Sequence, residues 1–158
     1  MGQPADADRP LTLKPVVQLE RTGCGIASVA AIAGLSYVKT KAVAASLNIS
    51  AQDERLWSET AHVRRLLNHL DVGTGRSERP FRSWESLPDL ALLSIKWHLE
   101  KGRPFWHWVV FVRDEKGARV LDPKKSLRSH ARTDFGRIKP KWFIPIVDAR
   151  RQIAKRSA

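Results

Sequence analysis

The sequence has very little cysteine: Cys24 is the only one among 158 residues. A single cysteine excludes an internal disulfide framework and fits a reducing compartment, so we expect a cytoplasmic protein. No apolar run approaches the roughly 20 residues that a membrane-spanning helix needs. Residues 1–10 also lack the apolar segment of a secretory signal. We therefore expect a protein with no membrane span.

Acidic residues are scarce relative to basic ones. The chain has 16 Asp and Glu against 28 Lys and Arg, which gives a formal net charge of +12. Such a balance attracts nucleic acid or an acidic partner, although no motif of a nucleic-acid-binding fold accompanies it. A basic surface that is merely solvated explains the charge equally well. An acidic partner or nucleic acid therefore stays open beside the peptide or protein substrate considered below.

Motifs for cofactors and metals are also lacking. The Gly-Thr-Gly of residues 73–75 has neither the preceding strand nor the full glycine pattern of a phosphate-binding loop. His62 and His69 are not separated by the four positions that would place both on one metal ion. We therefore expect neither a cofactor nor a metal site.

Length and composition predict one ordinary globular domain, since 42% of the residues are hydrophobic. Residues 1–15 contain three prolines that oppose helix formation, and we predict a flexible lead-in there. Residues 16–147 form the predicted domain, and residues 148–158 a basic C-terminal tail.

Helical periodicity dominates the first half of the domain. The alanine-rich run Cys24–Ala33 predicts a buried helix that Gly34 ends. A second helix is predicted over residues 36–47, and a third starts near residue 58 and continues to residue 70. The expected apolar face of the second helix is formed by Val38, Ala42, Ala45 and Leu47.

Strand-like patterns follow from residue 90 onward, after a predicted surface loop over residues 71–88 that Phe81 and Trp84 would anchor. The predicted strands cover residues 90–97, 105–113, 118–122 and 142–147, with a hairpin turn over residues 114–117. Pro145 in the last strand predicts an edge position or a bulge. Helices followed by an antiparallel sheet indicate an α+β fold.

Cys24 lies between Gly23 and Gly25 at the predicted start of the first helix. The unpaired N–H groups and partial positive charge of a helix N-terminus favour a thiolate, which is the nucleophilic form of cysteine. We expect the two glycines to leave the backbone open to a close substrate approach. Gln18 could place an amide beside the sulfur and form an oxyanion hole with the Cys24 backbone N–H. A lone cysteine is also commonly a small buried apolar residue, so a catalytic interpretation requires a base.

His107 is the predicted base. It lies near the start of the predicted strand 105–113, in which alternation places His107 and Val109 on the same face. If the hairpin turn is centred between Glu115 and Lys116, Asp122 falls opposite Val109 and diagonal to His107. A carboxylate there would fix the tautomer and orientation of the imidazole, whereas a slip of one residue would turn it to the other face. A hydrogen-bonded core histidine is the alternative interpretation.

Two further histidines could serve in the same role. His98 lies beside a polar turn and His130 in a basic loop. Both are weaker candidates for the base.

Four sequence features in this order resemble papain-like cysteine peptidases: Gln18, the Thr-Gly-Cys-Gly-x-Ala-Ser run around Cys24, His107 followed by Trp-Val-Val, and Leu-Asp-Pro around Asp122. The likeness is strongest to the bacteriocin-processing (double-glycine leader) peptidase domains and their stand-alone relatives, and it covers residues 16–147. The resemblance implies a papain-like α+β fold in which an N-terminal helical half packs against a C-terminal antiparallel sheet. It also implies that Cys24 is the nucleophile, His107 the general base and acid, Asp122 the orienting residue and Gln18 the oxyanion donor.

The expected activity is hydrolysis of a peptide or related amide bond, including cleavage after a Gly-Gly-type sequence. Processing peptidases of this kind are usually fused to a membrane transporter, whereas this sequence has no membrane span and no ATP-binding motif. We therefore expect a stand-alone peptidase. Two alternatives remain: an acyltransferase or transglutaminase-type toxin or effector with the same fold, and a catalytically silent domain that binds through its basic surface.

Overall fold

The computed structural model describes residues 13–147. Residues 1–12 of the predicted lead-in, and the whole predicted tail at 148–158, lie outside the described residues. The described helices are α1 (Cys24–Ala33), α2 (Tyr37–Ser46) and α3 (Ala61–His69), with 3-10 helices at Glu54–Trp57 and Phe135–Arg137. The described strands are β1 (Gly73–Thr74), β2 (Arg79–Pro80), β3 (Leu90–Glu100), β4 (Arg103–Asp114), β5 (Gly117–Leu121), β6 (Ala131–Arg132) and β7 (Pro140–Val147).

Helix α1 has the bounds that the alanine-rich run predicts. Gly34 ends it in the left-handed conformation, with φ of 74°, and donates its N–H to the carbonyl of Ala30. Nine of the ten helix residues are buried, because α1 packs against β4 on one side and contacts α2 and α3 on others. Small side chains allow this close approach from several directions.

Helix α2 buries a different face from the predicted one. Its N-terminus is capped as expected for a serine, because the Ser36 hydroxyl accepts the Lys39 N–H at 3.1 Å. The buried residues are Tyr37, Thr40 and Ala44, while Val38 is 66% exposed. The expectation of an apolar face containing Val38 was therefore wrong, since hydrophobicity in this short alanine-rich helix distinguishes its faces only weakly.

No single helix within residues 13–147 is long and apolar enough to cross a membrane. Helices α1 and α2 meet the length and composition criteria only together, as a pair bent by 108°. Helix α3 begins at Ala61, later than predicted, and a separate 3-10 helix over Glu54–Trp57 precedes it.

The predicted surface loop at residues 71–88 contains two strands. β1 and β2 are two residues each and both pair antiparallel with β7. The aromatic anchor is present, since the Phe81 and Trp84 rings lie 5.0 Å apart and Trp84 lies 5.9 Å from Phe111 of β4. This segment covers the sheet face opposite the helices.

The strands form one antiparallel sheet in the order β1-β7-β3-β4-β5-β6, with β2 also paired to β7. β4 and β5 form the predicted hairpin, in which Val110 pairs with Leu121 and Phe111 with Val120. Continuing this register places Asp122, directly after β5, opposite Val109. The helices cover one face of β4, and residues near Phe81 and Phe135 cover the other.

For Pro145 we expected an edge position or a bulge; β7 is an interior strand, and its register shift against β3 lies at Lys141 and not at the proline. β7 pairs with β3 on one side and with β1 and β2 on the other. Pro145 is tolerated because β1 pairs with residues 146–147 and β2 with residues 142–143. Its missing N–H therefore falls between the two short partner strands.

A β-bulge interrupts β3 at the level of His107. Ile95 pairs with His107 and His98 with Phe105, so two residues of β3 lie opposite one residue of β4. Lys96 occupies the bulge with a positive φ of 54°. Bulges commonly bend a strand, and Lys96 lies close enough to Asp122 for that carboxylate to act on its pKa.

Candidate active site

Cys24 is the first residue of α1 and is fully buried. Its sulfur accepts the backbone N–H of Trp108 at 3.5 Å, which joins the start of α1 to β4. No side chain within the described residues caps this helix. Unpaired N–H groups at the first turn of a helix favour an anion in their vicinity. The structure thus places the thiol at the predicted helix start and directly beside the strand that carries His107.

The glycines on either side of Cys24 serve packing. Both are buried, and a Cβ on Gly23 would overlap the Tyr37 hydroxyl. A Cβ on Gly25 would lie 2.9 Å from Val63 and 3.2 Å from the Trp108 ring. The expectation that they open the backbone to substrate was therefore wrong: only glycine leaves room for the neighbouring side chains.

Side chains of the loop that precedes Cys24 form hydrogen bonds with residues of the helical half. Glu20 accepts hydrogen bonds from the Tyr37 hydroxyl and the Lys41 ammonium, both at 2.5 Å. Burial and the carboxylate together raise the pKa of Tyr37 well above its usual range. The Thr22 hydroxyl donates to the carbonyl of Ala51. These contacts fix the chain that leads into Cys24.

Asp122 is fully buried and lies within hydrogen-bonding distance of His107. The His107 Nε2 is 2.7 Å from the Asp122 Oδ1, and the imidazole side chain is 13% exposed. Oδ1 also accepts the Lys124 backbone N–H at 3.0 Å, and Oδ2 accepts from Arg132 Nη1 at 2.9 Å. The predicted hairpin register is what brings the carboxylate to this face.

The surroundings favour the charged forms of both groups. Burial of the imidazole opposes protonation, but its hydrogen bonds to Asp122 and Cys24 and the charges on both outweigh that effect and raise the pKa of His107 to about 9. Burial likewise opposes ionisation of Asp122, yet His107, Lys124 and Arg132 hold its pKa at about 2. Because Nε2 faces Asp122, Nδ1 is the nitrogen left to face the thiol.

Gln18 connects the loop before Cys24 to the segment after β5. Its backbone N–H donates to the carbonyl of Pro123 at 3.0 Å. Its side-chain amide donates to the carbonyls of Glu20 at 2.9 Å and Arg21 at 3.0 Å, so both amide hydrogens are engaged within the loop. Its Oε1 is buried and has no hydrogen-bond partner among the described residues.

Arg132 is a residue of the site that the sequence analysis did not identify. It pairs with Asp122 at 2.9 Å and with Asp134 at 2.8 Å. It lies on β6, a strand of two residues whose pairing with β5 no sequence pattern indicates. The position of Arg132 beside Asp122 could therefore not be predicted from the sequence, in which arginine is common.

Three of the other four histidines have partners outside this cluster, or touch only its backbone. His98 contacts the Lys96 carbonyl and the Glu100 carboxylate, His62 contacts Asp53, and His130 contacts the Asp122 carbonyl. Within residues 13–147, no group of three His, Cys, Asp or Glu side chains is placed to hold a metal ion.

Comparison with known proteins identifies the fold. No protein-family model matches the sequence, and no curated protein sequence matches it significantly. Among solved structures, the chain is similar to a double glycine motif protease from an AMS/PCAT transporter, crystallised in complex with the leader peptide. The TM-score is 0.55 at 15% identity, over 86% of this chain and 91% of that one. The chain thus has the papain-like fold of that protease, as the sequence motifs predicted.

Proposed function

We propose that this protein is a cysteine peptidase that uses Cys24 as nucleophile, His107 as general base and acid, and Asp122 as the residue that orients His107. The observation that carries the proposal is geometric: the Cys24 sulfur accepts the backbone N–H of Trp108, the residue that follows His107, and His107 bonds to the buried Asp122 carboxylate. The likeness in fold to a protease supports the proposal. Cys24, His107 and Asp122 lie where the start of α1 meets the sheet.

The first chemical step forms a thioester. The Cys24 thiolate attacks the carbonyl carbon of a peptide bond, and a tetrahedral intermediate forms. Protonated His107 then donates its proton to the leaving amine, the C–N bond breaks, and the acyl group remains on the sulfur. In the second step His107 takes a proton from water, the resulting hydroxide attacks the thioester, and the acid and free thiolate are released.

The tetrahedral oxyanion requires donors, and two groups supply them in this proposal. The backbone N–H of Cys24 lies at the uncapped first turn of α1. Gln18 is the side-chain donor. Since its amide hydrogens bond the carbonyls of Glu20 and Arg21, Gln18 must exchange one of these carbonyls for the substrate oxygen.

Peptides are the proposed substrates. The structurally similar protease was crystallised with a leader peptide, so a peptide substrate, including one cleaved after Gly-Gly, is the first class to test for this chain. Transfer of the acyl group to an amine is the second candidate reaction, because the same thioester accepts either water or an amine. The buried position of Cys24 favours neither acceptor.

The test combines product detection with thiol labelling. The protein is incubated with a proteome-derived peptide library, with and without an added primary amine, and new termini are identified by mass spectrometry. We expect hydrolysis products with the wild type, none with Cys24→Ala, and a rate lower by about 10²–10⁴-fold with His107→Ala. Iodoacetamide labelling of Cys24 should also be slower in His107→Ala than in the wild type.

Products that carry the added amine, in place of free carboxylates, would assign acyl transfer instead. Absence of any product, together with equal Cys24 labelling in wild type and His107→Ala, would overturn the proposal. His69→Ala is the matched control, because His69 is exposed at the end of α3, and it should behave as wild type in both assays.

A further inference from the structure

A basic pocket of about 410 Å³ opens at the end of the sheet that carries His107 and Asp122. The residues that line it come from the β3 bulge, from β6, and from the segment that leads into β7. Five of its nine lining residues are basic and none is acidic: Lys96, Arg132, Arg137, Lys139 and Lys141. A concave site with this composition attracts anions.

Most of these basic side chains form no salt bridge, although the Asp122 carboxylate acts on Lys96 and the Asp134 carboxylate on Arg137 at longer range. Arg132 bonds to Asp122 and Asp134, but the other four basic residues of the pocket form no salt bridge with any described residue. Lys141 instead lies over the Trp97 ring, with its Nζ 4.3 Å from the ring centroid. Burial and the neighbouring Lys124 lower the pKa of Lys96, which reflects the crowding of cations here.

The pocket touches the catalytic machinery proposed above. Arg132 forms part of its wall and donates to Asp122, which in turn contacts His107. Lys96 lies beside Ile95, the residue that pairs with His107 across the sheet. The pocket therefore borders the residues that hold His107 in place, through Arg132 and Asp122.

We propose that this pocket binds anionic side chains of a peptide substrate and so makes the protein selective for acidic peptides. The inference rests on the proposed peptidase function and assigns its substrate class. Carboxylates of Asp or Glu and the phosphate of phosphoserine share the required chemistry, and arginine side chains bind both well.

Binding is tested on Cys24→Ala, which removes the thiol so that bound peptides stay intact. The probes are Gly/Ser octapeptides that carry three Glu, three Gln or three phosphoserines, measured by isothermal titration calorimetry. The pocket variant is Arg137→Gln/Lys139→Gln/Lys141→Gln. The control variant, Lys39→Gln/Arg76→Gln/Lys116→Gln, removes the same charge from exposed positions outside the pocket.

We expect the Glu peptide to bind at least about tenfold more tightly than the Gln peptide. This preference should be lost in the pocket variant and kept in the control variant. Comparison of the Glu and phosphoserine peptides identifies which anion the pocket prefers. Equal affinity for the Glu and Gln peptides, or equal losses in the two variants, would overturn the inference.

Two further outcomes separate this inference from the proposed function. If the wild type cleaves Gln and Glu peptides equally well, the peptidase proposal stands and the selectivity fails. If Cys24→Ala binds the Glu peptide through the pocket but the wild type cleaves nothing, the anion site stands and the peptidase proposal fails. The peptide assignment would be overturned if a single-stranded 12-mer oligonucleotide bound more tightly than every peptide and if this binding were lost in the pocket variant.

Discussion

At the scale of single residues, Asp122 is the most constrained group of the site. Its two oxygens form hydrogen bonds with the His107 imidazole, the Lys124 backbone N–H and the Arg132 guanidinium. The carboxylate therefore cannot rotate without breaking several hydrogen bonds. A buried carboxylate held in this way fixes the imidazole ring and stabilises its charged form.

The first prediction concerns the pH dependence of activity. Asp122→Asn keeps the size of the side chain but removes its charge, so the pKa of His107 falls from about 9. Because protonated His107 donates to the leaving amine, activity declines as pH rises through this pKa. We expect kcat/KM of the wild type to decline near pH 9. In Asp122→Asn the decline should occur at a lower pH, and kcat/KM should be lower by at least about tenfold.

Asp134→Asn provides the matched control, because Asp134 pairs with the same Arg132 but not with His107. It should leave the alkaline limb in place. An unchanged limb in Asp122→Asn would mean that the carboxylate does not set the charge state of His107.

At the scale of secondary-structure elements, Trp108 joins the sheet to the helical half. It is fully buried on β4, and its indole N–H donates to the carbonyl of Leu56 at 2.7 Å. Its ring also packs edge-on against Trp106 and Trp142, with centroids 5.5 Å and 5.4 Å away. The same residue donates its backbone N–H to the Cys24 sulfur, so the position of β4 against α1 depends on it.

The second prediction separates this hydrogen bond from aromatic packing. Trp108→Phe leaves the buried Leu56 carbonyl without its donor. Trp106→Phe loses a comparable ring but no hydrogen bond, because the Trp106 Nε1 has no partner among the described residues. We expect urea denaturation to show Trp108→Phe less stable than Trp106→Phe by about 1–3 kcal/mol in free energy of unfolding. Equal losses would show that packing alone holds the sheet to the 3-10 helix.

At the scale of the whole molecule, the His107–Asp122 pair makes stability depend on pH. The pKa of His107 is raised from 6.5 to about 9, so its contribution is complete below pH 6.5 and is lost as pH rises toward 9. The pKa of Asp122 is lowered from 3.8 to about 2, so its contribution is present above pH 3.8 and is lost as pH falls toward 2.

The third prediction follows from these signs. The free energy of unfolding of wild type minus that of His107→Gln should be largest near pH 5 and smaller at pH 2.5 and at pH 9.5. Urea denaturation at the three pH values measures it. His69→Gln serves as control, since His69 is exposed and its substitution should give a small difference at every pH. A difference for His107→Gln that does not vary with pH would contradict the prediction.

The sequence by itself determined the features that depend on neighbouring residues. The alanine run and Gly34 define α1 to the residue, and the predicted second helix is present, with Ser36 as its cap and not as its first residue. Strand alternation and the turn at residues 114–117 were sufficient to place Asp122 on the face of His107. These features follow from local backbone preferences and from the period of two in a strand, which one stretch of chain contains completely.

The tertiary structure alone decided the features that depend on distant partners. Gly23 is required by Tyr37, and β7 becomes interior because β1 and β2 pair with it. The bulge at Lys96 and the ion pair of Arg132 with Asp122 likewise arise from pairing between separate strands. Local preferences do not specify such contacts, since burial and electrostatic attraction act on groups that the whole fold brings together.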